Sequence, residues 1–339
     1  MTTPPIRIVQ FQEALRPGLF EFAKLVHPVE NNLRQRLEWF IFENPHLENK
    51  NVVPGLFAVT PDNEIIGQFL MSPFECSFQQ KKSLGYFGYD FFVKEEYRSQ
   101  GVGAFLFVQG VRTFQPFLGI GVTQTVEKIS AAANIKSAGS LKKFLWMRNP
   151  IAVGMHMVNQ HLLKNKSKDP DCVFPQSVEV SAHVFERCAT VPEWWKDSTG
   201  PGDALDPGRS RAFLEWRFLK APREYQLYFG EGAYFAVRKA LYQGLRLLVI
   251  VDCRHAGKTA GHLDVVLQAA KMIARQTKLD GVVMAVTCPQ TEDILKQEGF
   301  FAAGRPSPVL THVPGLSSDV PVCVGMADAD LDFSFGASS

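Results

Sequence analysis

A basic surplus is absent from these 339 residues: 36 Lys and Arg stand against 34 Asp and Glu. No basic stripe is available to a phosphate backbone, so nucleic acid is not an expected partner. No stretch approaches the roughly 18 uninterrupted apolar residues of a membrane-spanning helix, so no membrane insertion is expected. The opening residues, MTTPPIRIVQFQEALRPG, lack a basic region followed by an apolar one, and so do not read as a signal peptide. The six cysteines, at 76, 172, 188, 253, 288 and 323, form no C-x-x-C pair. They read as reduced, mostly buried thiols of a cytoplasmic protein. His156 and His161 lie five apart, not the four that would share a helical face, and no metal site is expected.

What is present is apolar bulk. Hydrophobic residues make up 46% of the chain, and 27 phenylalanines suit thick cores or apolar grooves. The length favours two domains. A polar stretch, KNKSKDPD at 164–171, reads as a linker. The expected division is a first domain over 1–163, a linker over 164–174 and a second domain over 175–339. The segment KDSTGPGDALDPG at 196–208 reads as a long loop.

The halves echo one another in order. QRLEWFIFENPH at 35–46 matches RAFLEWRFLKAPR at 211–223, each a helical segment closed by proline. GLFAVTPDNEIIGQFLM at 55–71 matches YQLYFGEGAYFAVRKAL at 225–241 as paired strands. GIGVTQTVEKISAAANIKSAG at 119–139 matches GVVMAVTCPQTEDILKQEGFFAAG at 281–304, a strand and then a helix closed by glycine. The run LRLLVIVDC at 245–253 is apolar on both faces, as a covered strand requires. VPVCVGMADADLDFSFG at the end offers a last strand. The fold class is α/β (α+β), each half a mostly antiparallel mixed sheet flanked by helices.

Chemistry concentrates in VKEEYRSQGVGAFLF at 93–107. Arg98, Gly101 and Gly103 form R-x-x-G-x-G between an apolar strand and an apolar helix. A helix start leaves backbone N–H groups unpaired, glycine admits an anion closely, and the helix dipole favours negative charge. Arg98 can steady either a phosphate or the loop itself. Spacing alone leaves an anion cradle and a structural turn both open. It is neither the dinucleotide fingerprint nor a Lys-Ser/Thr phosphate loop.

The turn follows a long strand, which succeeds a hairpin preceded by two helices. With Val93, Tyr97, Arg98, Gly101 and Gly103, and with TEDILKQEGF at 291–300, the chain resembles two tandem domains of the GNAT acyltransferase superfamily. The resemblance implies an acyltransferase moving an acetyl or other acyl group from acyl-coenzyme A to a small amine by direct attack. It implies a cofactor cradle of Phe92, Val93, Arg98, Ser99, Gln100, Gly101, Val102, Gly103 and Ala104. An oxyanion donor is expected near Phe92–Val93.

Asp90, the one carboxylate in LGYFGYDFFV, is the preferred base, with Tyr89 as its neighbour in the site. Strand alternation expects Tyr89 on the opposite face from Asp90. Counted back four from Gly139, Ile135 stands where the family often carries a tyrosine acid. The second half departs further: VIVDCRHAGKTAGHL at 249–263 has Gly257, Lys258 and Gly261 but no R-x-x-G-x-G. These departures keep a second reading open, a catalytically inactive scaffold that binds coenzyme A or a partner protein. A related class that takes aminoacyl groups from transfer RNA fits less well, given the balanced charge. Asp328, Asp330 and Asp332 alternate and read as a solvated acidic edge. Acceptor identity, acyl length and homo-oligomerisation are left open.

Overall fold

The computed structural model describes residues 5–150 and 172–328, apart from 29, 31, 50–51, 79–80, 198–203, 231, 256–261 and 314–320. His156, His161, the stretch 164–171, Gly257, Lys258, Gly261, Asp330 and Asp332 lie outside the described residues. Two compact units emerge, Met1–Gly139 with Pro308–Val320, and Ser140–Ser307 with Pro321–Ser339.

In the first unit the strands run Arg7–Gln10, Gly55–Val59, Ile65–Phe78, Lys81–Val93 and Phe117–Ile120, each hydrogen-bonded to the next. All pairs are antiparallel except Lys81–Val93 with Phe117–Ile120. Residues Val309 to His312 then pair antiparallel with Phe117–Ile120. Helices Val102–Thr113 and Gln124–Ala132 supply Leu106, Phe107, Val111 and Val126 to a core on one face. Phe69 centres that core, with ring centroids 5.2 Å from Phe91, 5.3 Å from Phe107 and 6.0 Å from Phe117. Its closeness explains Gly88, where a Cβ would come within 2.8 Å of the Phe69 and Phe117 rings. Helix Arg16–Val26 and the segment Leu33–Phe42 cover the other face, where Phe22 meets Phe92 and Phe40 meets Tyr89.

From its short helix onward the second unit repeats the order; before that helix come the paired strands Ser177–Val180 and His183–Arg187, where the first unit has helix Arg16–Val26. Arg211–Leu214 widens into a π-helical turn at Glu215–Leu219, as Leu33–Leu37 does at Glu38–Phe42. Gln226–Gly230, Ala233–Tyr242 and Leu245–His255 then pair antiparallel, and Leu245–His255 pairs parallel with Gly281–Val286. The strand beyond Gly281–Val286 is Lys142 to Met147, from the first half of the sequence. Each unit is thus completed by a strand from the other half of the chain. A boundary placed at 164–174 assigns these strands otherwise, because sequence order does not show which sheet a terminal strand joins.

Three expectations change. Helix Gln124–Ala132 is closed by Asn134 in the left-handed conformation (φ 57°), not by Gly139, which lies within the strand Lys136–Met147. Asparagine can take that C-terminal role. The end of the chain forms single bridges at Val322 and Gly325 and a short turn at Met326–Asp328, with no strand among the described residues. Asp328 is not a solvated edge residue. It is buried and meets Arg209, whose guanidinium also grips Asp252 through Nε at 2.6 Å and Nη2 at 3.2 Å.

Tyr234 donates its hydroxyl to the same Asp252 carboxylate. Burial alone would raise the Asp252 carboxyl, but Arg209 and then Arg254 hold it below its ordinary range. Burial pushes Asp328 the other way, against the pull of Arg209. Removing the shared cation leaves two buried carboxylates facing each other. Arg209→Met is expected to lower the unfolding free energy by about 3–5 kcal/mol in urea titration. Asp328→Asn is expected to cost less, because Asp252 keeps its guanidinium.

Candidate active site

The site is built on the end of the strand Lys81–Val93. Its parallel ladder with Phe117–Ile120 runs from Tyr86 to Gly88, which pairs with Gly119. Past Gly88 the strand keeps a partner on one side only, Ile65–Phe78. Lys94 N–H donates to Ile66 on that side, at 2.9 Å. Alternation therefore turns the N–H groups of Phe91 and Val93 to the open edge.

A bulge lies inside this stretch. Phe92 pairs with Gln68 and Tyr89 with Leu70, so two residues, Asp90 and Phe91, oppose Phe69 alone. Asp90 absorbs the extra length with φ 46°, a left-handed conformation that aspartate tolerates better than most residues. The expectation that Tyr89 and Asp90 face opposite ways is corrected here. Tyr89 packs on Phe40 at 4.8 Å and Asp90 meets His27, both on the face covered by the first two helices. Phe91 alone turns to the Phe69 side. The inserted residue breaks the period of two.

The Asp90 side chain is 3% exposed, and its Oδ1 lies 2.8 Å from His27 Nε2. His27 caps the C-terminus of Arg16–Val26, its N–H bonded to Ala23 O, and Pro28 prevents the helix from continuing. The ring is 24% exposed, so it is reachable where Asp90 is not. Its Nδ1 stands 3.9 Å from Glu30, whose other oxygen pairs with the buried Arg36 at 2.8 Å. Two carboxylates and the C-terminal end of a helix thus surround one imidazole. Asp90 Oδ2 has no partner among the described residues. Neither has the side-chain amide of Gln68, which is fully buried opposite Phe92. Buried polar atoms are normally satisfied, so both groups are exceptions among the described residues.

The glycine turn lies next along the chain. Arg98 Nε donates to Val93 O at 2.9 Å, and its guanidinium stacks 5.3 Å from the Phe92 ring. Of its two expected roles, this geometry gives it the steadying of the loop. Gly101 takes φ 74° as N-cap of Val102–Thr113, and a Cβ added there would meet nothing within 4 Å. Phe105 N–H is the first to bond back, to Gly101 O, which leaves the N–H groups of Val102, Gly103 and Ala104 at the helix start. Ser99 and Gln100 are exposed beside them. Open space, donor groups and a positive dipole end fit a diphosphate here, and the open edge at Phe91 and Val93 fits an extended amide chain running toward Asp90.

The late helix offers less. With Asn134 as the closing residue, matching Gly299 at φ 77° in the second half, the residue four before it is Ser130, not Ile135. Ser130 is buried and bonds its own helix at Val126 O, 2.7 Å away. Ile135 is core. In the second half His255 stacks on His262 at 4.3 Å, in place of an R-x-x-G-x-G turn.

No family model and no curated protein matches this chain. Solved structures do. The GCN5-related N-acetyltransferase of Anabaena variabilis aligns at 10% identity and TM-score 0.55, over 90% of this chain and 72% of that one. The fold is that of the GNAT superfamily. A GCN5-related N-acetyltransferase from Kribbella flavida aligns over 91% of this chain and 70% of that one, at 12% identity and TM-score 0.50. The Saccharomyces cerevisiae N-myristoyltransferase, solved with myristoyl-CoA bound, aligns over 92% and 83% at 10% identity and TM-score 0.53. Identities this low speak to the GNAT fold, not to a substrate.

His27 is the residue that sequence reading missed. Its signal was present in LVHPVE, a histidine ending a helix before proline, but nothing in the sequence ties it to Asp90, 63 residues away. The glycine turn makes a stability series that separates backbone strain from space. Gly101→Ala is expected to cost about 1–2 kcal/mol for its left-handed backbone, and Gly101→Asn less. Gly103→Ala, whose Cβ would lie 3.6 Å from Phe91, is expected to stay within about 0.5 kcal/mol of the wild type in urea unfolding.

Proposed function

We propose that this GNAT-fold protein is an acyl-coenzyme A-dependent acyltransferase acting on a small amine by direct attack. The observation that carries the reading is the His27–Asp90 pair, set in a strand bulge between an open strand edge and a glycine-started helix.

The cradle is formed by the N–H groups of Val102, Gly103 and Ala104, with Gly101 leaving room and Arg98 fixing the loop through Val93. Phe92 packs between Phe22 and Arg98 and walls the entrance. An acyl-coenzyme A, acetyl or longer, supplies a thioester carbonyl open to attack by an amine. Phe91 or Val93 N–H, on the open edge, donates to the oxygen on which charge develops. His27 takes the amine proton. Asp90 accepts from Nε2–H and so presents Nδ1 as the basic nitrogen, which makes Asp90 the orienting group and His27 the base. This revises the role given to Asp90 by its position in the sequence: at 3% exposure it is out of an acceptor's reach. Tyr89, packed on Phe40, lines the same face. Much of the rate comes from holding both reactants together.

Ser130, at the position of the family's frequent tyrosine, favours the second reading, a scaffold that binds the cofactor without turning it over. Two measurements separate the readings. Acetyl-coenzyme A, or a longer acyl form, is expected to raise the melting temperature, and Gly103→Leu to abolish the shift. No shift with either acyl form overturns the cradle. In thioester-release assays over an amine library, His27→Ala is expected to lose about 10²–10⁴-fold in turnover with the thermal shift retained, and added imidazole to restore part of it. A wild type that shifts but never turns over supports the scaffold.

A further inference from the structure

Five of the six cysteines are partly exposed, contrary to the expectation of mostly buried thiols; only Cys76 is buried. Two of the five are brought together. Val286, the last residue of the strand Gly281–Val286, forms an antiparallel bridge with Gly325. Antiparallel register advances one strand as it retreats along the other. Thr287 therefore lies opposite Val324, and Cys288 opposite Cys323. Hydrogen bonds hold that register: Val324 N–H donates to Thr287 Oγ1 at 3.0 Å, and the same hydroxyl donates to Val322 O. On the far side Cys323 N–H bonds Leu205 O at 3.0 Å. Cys288 itself is extended (φ −79°, ψ 122°), so the register carries through to it.

The two thiols differ in character. Cys288 is the N-cap of Pro289–Gln297, at the positive end of that helix's dipole. The Cys323 thiol hydrogen-bonds to that sulfur and holds the Cys288 thiol down to about 5, with help from the Thr291 and Gln290 backbone and against burial. Cys323 is pushed up in turn, by its bond to Cys288 and by burial. Gln290 Oε1 lies 2.9 Å from Cys288 Sγ, and its amide can turn to donate to a thiolate. One sulfur is a part-exposed nucleophile, and the other is a protonated neighbour across the register.

We propose that Cys288 and Cys323 form a site of oxidative modification, with Cys288 as the attacking thiol and Cys323 as the resolving one, for an oxidant of the hydroperoxide class. Cys288 sulfur attacks the peroxide O–O bond, becomes a sulfenic acid and releases the other oxygen as an alcohol, or as water from hydrogen peroxide. Cys323 sulfur attacks the sulfenic sulfur and forms the S–S bond, and the sulfenic hydroxyl leaves as water with the Cys323 proton. Two thiols are oxidised by two electrons and one hydroperoxide is reduced to an alcohol and a water, or hydrogen peroxide to two waters. Directly opposed residues of an antiparallel pair have Cβ atoms about 4.5–5.5 Å apart, and a disulfide needs about 3.5–4.5 Å, so a small approach of the two segments suffices. The bond would staple the chain around Gly325 and Asp328 to the end of a core strand. That segment is otherwise held by Asp328 on Arg209, by Arg217 on Ala327 O, by the bonds to Thr287 and by the pairing of Val322 with Leu205.

The test uses the reduced full-length protein at neutral pH. In timed iodoacetamide labelling read by peptide mass spectrometry, Cys288 is expected to react at least tenfold faster than Cys172 or Cys188. After stoichiometric hydrogen peroxide, a Cys288–Cys323 cross-linked peptide is expected as the main product. Cys323→Ser is expected to stop at a sulfenic acid on Cys288, trapped by dimedone. Labelling of Cys288 no faster than of Cys188, or a main cross-link between any other pair, overturns the proposal. Because the wild-type measurements stand alone, a misfolded serine variant leaves the test intact.

Discussion

The site depends on one inserted residue. Asp90 sits in left-handed backbone where the strand Lys81–Val93 has lost its parallel neighbour but kept its antiparallel one. The bulge does three things together. It puts Tyr89 and Asp90 on one face, so the carboxylate meets His27. It returns Phe91 to the Phe69 core, which anchors the strand. It leaves the N–H groups of Phe91 and Val93 on an edge with no ladder. Without the extra residue, Asp90 would point into an aromatic cluster, an unpaired charge in an apolar core.

Around that bulge, packing is dense at Gly88 and sparse at the glycine turn. Phe69, Phe107 and Phe117 crowd Gly88 so closely that no side chain fits. A few residues on, Gly101 borders open space. Rigid aromatic support behind an open turn is what pre-organised binding needs. Arg98 shows the same economy: it bonds the backbone of Val93 and fixes the loop, which leaves the backbone N–H groups of the helix start beside open space. In the second unit the corresponding charges turn inward. Arg209, Asp252 and Asp328 form a closed, buried set with Tyr234, which suits a structural role.

Much of the fold was legible because repetition is a property of sequence. L-E-W before a paired strand occurs twice, and both copies form a helix that widens into a π-helical turn at that tripeptide. The glycine turn was legible for the same local reason, since φ 74° at a helix start calls for glycine. Helix closure by Asn134 misled the count to Ile135, because asparagine imitates glycine in left-handed backbone. The exchange of edge strands was hidden, since Lys136–Met147 and Phe301–His312 read alike as strands and nothing local names their partners. The pairing of Cys288 with Cys323 was hidden too, because it rests on a bridge between residues 39 apart, Val286 and Gly325.

The sequence by itself determined the elements and their repeated order, the α/β class and the anion-suited turn at Arg98–Gly103. These follow from interactions within a few residues: periodicity, capping and the conformational freedom of glycine. Only the tertiary structure decided which face Asp90 takes, that His27 is its partner, that Asp328 is buried on Arg209, and which strand completes each unit. Those outcomes depend on contacts between residues far apart in the chain. Such contacts are selected by how apolar faces pack and how buried charges find partners, and no short window of sequence encodes that choice.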